Sequence, residues 1–271
     1  MPDAFDLTGY LGRIGYAGPR SPTLAVLREV HALHAAAIPF ENLDPLLGRP
    51  VDLDLPALEA KMVRGRRGGY CFEQNMLLAI ALDALGFDVT RLAARVRWNA
   101  PPDEPEGPRS HMLLRVEVDG AAYVADVGFG GYILAGPLRL APELEQSDTG
   151  NRLRFVESGG SYTLQIHRSG AWHDIYRFTL EPQLPAVYMV SNWWTSTRPG
   201  FLLTENLLAE RLTPAARHSL FNNRLTTRYA DGRVEERILA GPEELGEVLA
   251  EALALEPPAS AADIWARLPK G

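Results

Sequence analysis

The hydrophobic period of this chain changes at Gly86, and that change limits what it can fold into. Before Gly86, apolar residues recur at three- and four-residue spacing. Leu24, Leu27, Val30, His31 and His34 share one helical face, and Met76, Leu77, Ile80, Ala81, Ala84 and Leu85 share another. After it, Val89–Trp98 mixes β-branched and aromatic residues in the manner of a strand. Residues 1–86 are therefore expected to be a helical unit. Its parts are a short helix within Asp3–Tyr16, an N-cap with first-turn proline at Ser21-Pro22, a helix end at Ile38-Pro39, a turn over Ile38–Asp44, and a helix from Asp54-Leu55-Pro56 toward Val63.

The second half reads as strands. Ala100–Pro108 is a proline-rich loop. Leu153–Glu157, Tyr162–His167 and Trp172–Phe178 alternate around glycine turns, a meander that would complete a barrel. Leu207–Thr213, Ser219–Asn222, Arg224–Tyr229 and Val234–Leu239 are further strands. Glu243–Leu255 is an amphipathic helix, and Ala261–Leu268 a short one.

Composition excludes several classes. One cysteine leaves no disulfide framework and no multi-cysteine zinc site, which fits a reducing cytoplasm. His31 and His34 lie one turn apart but lack a third ligand, so no metal is expected. A net charge of −7 argues against nucleic acid as a partner. The longest apolar run, within Met76–Phe87, is broken by Asp83, so no membrane span or signal peptide is expected.

The single cysteine sits in Arg66-Arg67-Gly68-Gly69-Tyr70-Cys71-Phe72-Glu73-Gln74-Asn75, where a helix starts. A thiol in a first helical turn meets unpaired N–H groups and the positive end of the macrodipole, both favouring thiolate, and nearby arginines act in the same direction. The Gly-Gly pair lets the backbone come close to whatever the sulfur attacks. A lone cysteine is more often a small buried hydrophobe. What separates the two is a base with an orienting partner.

Ser110–Val118 and Ala121–Val127 flank Asp119-Gly120, a strong hairpin signal. With a two-residue turn, Val118 faces Ala121 and Leu113 falls opposite Asp126. His111 shares the face of Leu113, so His111 and Asp126 become diagonal neighbours about 7–8 Å apart at the backbone. Such a pair is half of a nucleophilic triad or an ordinary ion pair. Gly128-Phe129-Gly130-Gly131 follows directly. Its glycines either let N–H groups approach a ligand or simply form a turn.

Taken together, Ile38-Pro39-Phe40-Glu41-Asn42-Leu43, Arg67-Gly68-Gly69-Tyr70-Cys71-Phe72-Glu73, His111 and Asp126-Val127-Gly128-Phe129-Gly130 resemble the arylamine N-acetyltransferase family, in that chain order. The resemblance implies an α+β fold with a cysteine-protease/transglutaminase-like catalytic core. It implies an N-terminal helical bundle (1–86), a central antiparallel β-barrel (87–195) and a C-terminal α/β lid (196–271), with acyl-CoA entering between the last two. It further implies a Cys71, His111, Asp126 triad and a structural Glu41–Arg67 pair. Acetyl-CoA would be the acyl donor and an aromatic amine or hydrazine the acceptor. Gly128, Gly130 and Gly131 are candidates for cofactor contact, and Phe40, Val96 and Phe129 for an apolar amine slot, each also plausible as plain core. The family's histidine before the proline near 199 is replaced by Arg198. Three rivals remain: an amide synthase of the same fold closing a macrolactam, a transglutaminase-like thiol hydrolase, and a silent binding module.

Overall fold

The computed structural model describes residues 5–101 and 104–269. Five helices lead: α1 (Leu7–Ile14), α2 (Leu24–Ala37), then after strand β1 (Phe40–Glu41) α3 (Leu43–Leu46), α4 (Leu55–Leu58) running into a π-turn over Glu59–Arg64, and α5 (Cys71–Ala84). Strands β2 (Asp88–Val96), β3 (Arg109–Val118), β4 (Ala121–Ala125), β5 (Leu138–Arg139), β6 (Gln146–Asp148), β7 (Asn151–Ser158), β8 (Ser161–Arg168) and β9 (Ala171–Thr179) follow. The chain ends with α6 (Pro185–Thr197), α7 (Leu202–Glu205), β10 (Leu208–Leu212), β11 (Ala216–Phe221), β12 (Arg224–Tyr229), β13 (Val234–Ile238), α8 (Pro242–Ala250) and α9 (Ala261–Trp265).

The change of period at Gly86 is where helices give way to strands. Several local expectations shift. Thr23, not Ser21, caps α2, because its Oγ1 reaches the Val26 N–H and leaves Pro22 outside the helix. The helix expected within Asp3–Tyr16 is Leu7–Ile14, capped by Asp6; Asp3 lies outside the described residues, as do Pro102 and Asp103 of the proline-rich loop. α8 stops at Ala250 instead of Leu255, since the chain turns to bring Leu253 and Leu255 back onto the core. α6 was not assigned from sequence. Its apolar residues point both ways, with Tyr188 buried and Met189, Val190 and Trp193 exposed, so no clean helical stripe appears.

Eight antiparallel strands run in the order β5-β4-β3-β2-β9-β8-β7-β6. The segment after β5 bonds strands near both edges, Leu140 donating to the Ala122 carbonyl of β4 and Glu143 to that of Phe155 on β7, which brings the sheet close to a closed barrel. The β3–β4 hairpin pairs Val118 with Ala121 and Leu114 with Ala125. Asp119 and Gly120 both have positive φ, as the tight turn requires. Both faces of β3 are buried. Met112, Leu114 and Val116 join the core built around α5, while Leu113 enters the barrel core with Phe155 and Tyr176. α5 is itself buried on most sides, which is why its hydrophobic pattern is broader than one stripe.

The expected turn at Ile38–Asp44 contains a strand instead. β1 pairs with β10 at the edge of a five-stranded sheet, β1-β10-β11-β12-β13, and on its other side bonds the loop before Cys71. Glu41 donates to the Gly69 carbonyl and Gly69 to that of Pro39. The chain's first helical stretch is thus tied to its last sheet.

This packing explains Gly68-Gly69. A Cβ on Gly68 would lie 2.0 Å from the Pro39 carbonyl oxygen, and one on Gly69 would lie 2.9 Å from the Glu73 side chain. The close approach is to the protein's own backbone and to Glu73, not to whatever the sulfur attacks. Gly68→Ala is expected to destabilise the fold by about 1–3 kcal/mol, because backbone must move, measured by urea unfolding. An unchanged midpoint would contradict this packing.

Candidate active site

Cys71 is the first residue of α5, and three consecutive buried polar side chains follow Phe72. Glu73 accepts the Tyr70 N–H (3.1 Å) and the Lys61 ammonium (2.7 Å). Gln74 donates to the carbonyls of Pro39 (2.7 Å) and Ile38 (3.2 Å) and accepts from His34 Nε2 (2.7 Å). Asn75 donates to Asp126 Oδ1 (2.9 Å) and the Met112 carbonyl (2.6 Å), and accepts the Val127 N–H (3.1 Å). One helical turn therefore fixes the preceding loop, β1 and the end of the β3–β4 hairpin.

The register of that hairpin brings His111 and Asp126 together, with Nε2 to Oδ2 at 2.7 Å and both side chains at 2% exposure or less. Asp126 Oδ1 also accepts the Gly128 N–H (3.0 Å), and its own N–H donates to His31 Nε2 (3.2 Å). Burial pushes the Asp126 carboxyl up, but His111, Asn75 and the Gly128 amide outweigh it and hold the carboxyl below its ordinary range. The His111 ring lies between Phe129, perpendicular at 5.1 Å, and Tyr176, tilted at 5.1 Å. Its orientation is fixed on three sides.

Two sequence expectations about the thiol change. Arg67 does not act on Cys71, because its guanidinium is matched by Glu41 (2.7 Å) and Asp44 (3.0 Å), with Lys61 in the same cluster. Burial is the dominant influence on the thiol and pushes it up, although backbone N–H groups of Met112 and Phe72 act the other way. A helix N-terminus alone does not ionise this sulfur. It needs a proton acceptor beside it.

Cys71 and His111 line one cavity of about 290 Å3. Phe40, Val96 and Phe129 line it as well, with Gly128 and Gly130. Gly128 is where the hairpin passes the helix start, a Cβ there meeting Cys71 Cα at 2.8 Å, and a Cβ on Gly130 would meet the Phe40 ring at 2.5 Å. The Gly128 amide is engaged by Asp126, and the Gly131 amide by Glu210 Oε2 (3.1 Å). Sequence reasoning missed Trp98, Trp194, Thr195, Phe201 and Leu203 on the same walls. Most come from α6 and beyond, where no chemical motif flagged them. Arg198 lies over the Trp194 ring at 4.7 Å. A roomier cavity of about 510 Å3 beside α6 holds neither Cys71 nor His111.

The profile of the N-acetyltransferase family matches residues 23–260. The chain belongs to the arylamine N-acetyltransferase family. It is 44% identical over 220 residues to an arylamine N-acetyltransferase of Mycolicibacterium smegmatis, covering 80% of each chain. It is 40% identical over 217 residues to an arylamine N-acetyltransferase / N-hydroxyarylamine O-acetyltransferase of Salmonella typhimurium, covering 80% of this chain and 76% of that one. The structure of Mycobacterium marinum arylamine N-acetyltransferase in complex with CoA superposes with a TM-score of 0.91 at 37% identity, over 97% of this chain and all of that one. The family fold is thus the one described above. No helix among the described residues is long and apolar enough to cross a membrane.

Behind the site, His31 and His34 serve packing. His34 bridges Gln74 and the Tyr10 hydroxyl (2.8 Å), and His31 receives the Asp126 N–H. Burial lowers His31 to about 4 and His34 to about 3. The unfolded chain therefore binds protons near pH 6.5 that the folded one refuses. Their contribution is present above pH 6.5 and is lost as pH falls toward 4. Unfolding free energy measured in urea is expected to decline across that window, with His34→Gln losing part of the slope. A flat profile from pH 7 to 4 would count against neutral burial.

Proposed function

We propose that this chain acetylates aromatic amines and hydrazines with acetyl-CoA by a ping-pong mechanism, with Cys71, His111 and Asp126 as the catalytic residues. The observation that carries this is the single cavity shared by Cys71 and a His111 whose Nε2 is bound to a buried Asp126. With Nε2–H donating to Asp126, Nδ1 is the nitrogen left to receive the thiol proton. Transfer of that proton replaces a neutral pair by a thiolate–imidazolium pair, so burial that disfavours an isolated thiolate is offset by the adjacent cation, itself stabilised by Asp126.

Cys71 Sγ attacks the thioester carbonyl, and the N–H groups of the first α5 turn face the developing oxyanion. His111 returns its proton to the departing CoA sulfur, leaving acetyl-cysteine. His111 then removes a proton from the attacking amine, and the acetamide leaves as Cys71 regains its proton. Phe40, Val96 and Phe129 form the apolar walls on which a neutral arylamine packs. Gly128 and Gly130 act through the close approach that they permit, to Cys71 and to the Phe40 ring, beside the acyl group, whereas Gly131 lies outside that cavity with open space around it and serves as a turn residue at positive φ. We carry the division into 1–86, 87–195 and 196–271 as the functional one, nucleophile, relay and lid, in a cytoplasmic enzyme supplied by acyl-CoA. The Salmonella relative's second activity suggests that an N-hydroxyarylamine oxygen is also an acceptor here. A cavity of about 290 Å3 suits a small aromatic ring better than a polyketide macrocycle, which disfavours the amide synthase.

Intact-mass analysis after incubation with acetyl-CoA alone is expected to show one acetyl adduct on the wild type and none on Cys71→Ala. Asp126→Asn is expected to slow adduct formation at least 100-fold, and normal acylation in it would remove Asp126 from the triad. Asn75→Ala, which removes one anchor of the carboxylate and the bond that holds the Val127 amide beside it, is expected to cost about 10- to 100-fold in acylation rate. Equal rates for Asn75→Ala and wild type would show that this tether does not govern alignment.

A further inference from the structure

α6 ends in three consecutive hydroxyl residues, Thr195, Ser196 and Thr197. A hydroxyl in a helix commonly donates to the carbonyl four residues back, and two of the three do so. Ser196 bonds the Asn192 carbonyl (2.7 Å) and Thr197 that of Trp193 (2.6 Å). Thr195 makes no such bond to the Ser191 carbonyl. Its side chain is 1% exposed, and its Oγ1 has no hydrogen-bond partner among the described residues. Buried hydroxyls are rarely left in this state.

Thr195 stands on the wall of the cavity that holds Cys71 and His111. Most of that wall is apolar, with Phe40, Val96, Trp98, Phe129, Phe201 and Leu203 on it. The other side chains there able to bond a ligand are already engaged or reach water. Cys71 Sγ lies 3.7 Å from the Ser110 carbonyl, His111 is bound to Asp126, and Ser110 is half-buried. The Thr195 hydroxyl is buried, uncommitted and outside the proposed relay.

Such a hydroxyl both donates and accepts, and it is costly to leave unpaired in an occupied cavity. An aromatic ring that enters expels the water that could serve it. From then on only the incoming molecule can supply a partner. A ring carrying a hydroxyl or similar polar substituent does so, whereas a ring with a methyl group in that place leaves Thr195 stranded.

We infer that Thr195 Oγ1 is a specificity-determining group of the acceptor slot, selecting aromatic amines with a hydrogen-bonding ring substituent over apolar amines of equal size. This rests on the arylamine reading above and adds to it which arylamines are preferred. The hydroxyl takes no part in acyl transfer, so it acts on capture of the amine and not on loading of Cys71.

The test uses two pairs of near-isosteric amines at saturating acetyl-CoA: 4-aminophenol with 4-methylaniline, and 3-aminophenol with 3-methylaniline. For each pair, the ratio of kcat/KM for the hydroxy amine to that for the methyl amine is measured in wild type, Thr195→Val and Thr195→Ser. Comparing one ratio between variants cancels the differing nucleophilicities of the amines. Thr195→Val is expected to lower the ratio at least tenfold in one pair or both, through KM for the aminophenol, with the methylanilines within twofold of wild type. Thr195→Ser, which restores the hydroxyl, keeps the ratio within threefold. Because valine removes an unpaired hydroxyl at similar shape, the urea midpoint of Thr195→Val is expected to equal or exceed that of wild type. Thr197→Val, at an exposed hydroxyl bonded within the helix, serves as control and leaves both ratios unchanged. Ratios that move less than twofold in Thr195→Val overturn the assignment. So does acetyl-adduct formation from acetyl-CoA alone that is fivefold slower in Thr195→Val, since the hydroxyl would then serve the donor. If the wild type forms the adduct but acetylates none of the four amines, the arylamine reading itself fails and this assignment with it.

Discussion

The first turn of α5 buries Glu73, Gln74 and Asn75 in succession, and the rest of the structure depends on each of them being hydrogen-bonded. An unpaired polar group at such depth costs about 1–3 kcal/mol, more if charged. Each side chain is therefore a demand on a different part of the chain. Glu73 requires Lys61 and the Tyr70 amide, Gln74 requires His34 and the Pro39 carbonyl, and Asn75 requires Asp126 and the Val127 amide. Satisfying all three holds the helical region, β1 and the hairpin in a single relative position. The sulfur, the ring and the carboxylate inherit that position.

The ion cluster under the Gly68-Gly69 loop works alongside it. Glu41, Asp44 and Glu73 meet Lys61 and Arg67, with the side chains mostly withdrawn from solvent. Buried pairs of this kind contribute little net stability against an apolar alternative, yet removing one partner strands a charge and is costly. Their effect here is to specify: the loop carrying Gly68 and Gly69 must sit against β1, where only glycine fits. β1 in turn is hydrogen-bonded to β10, so the last sheet is anchored to the loop that precedes Cys71.

Legibility in the sequence followed the range of the interactions. The helix starting at Cys71 and the tight turn at Asp119-Gly120 are local, and the two-residue turn let the register be counted back to His111 and Asp126. Phe40, Val96 and Phe129 were reachable through family resemblance alone, and all three line the cavity. β1 was not legible, because two residues gain strand character only from β10 and Gly69, far away in the chain. α6 was not legible either, since its exposed Met189 and Trp193 blur the helical stripe. Thr195 shows the same limit. Its neighbours Ser196 and Thr197 donate to carbonyls one turn back, whereas the buried Thr195 hydroxyl on the cavity wall has no partner among the described residues.

The sequence alone determined the residues of the proposed triad and their order: one thiol at a helix start, then a histidine and a carboxylate brought to one face of a hairpin by period-two geometry. Tertiary structure decided the electrostatics. It buried the thiol so that the helix N-terminus could not ionise it unaided, and it matched Arg67 with carboxylates and so removed it from the site. Charge and burial are sums over everything nearby in space, and a linear pattern carries no record of which distant residues those will be.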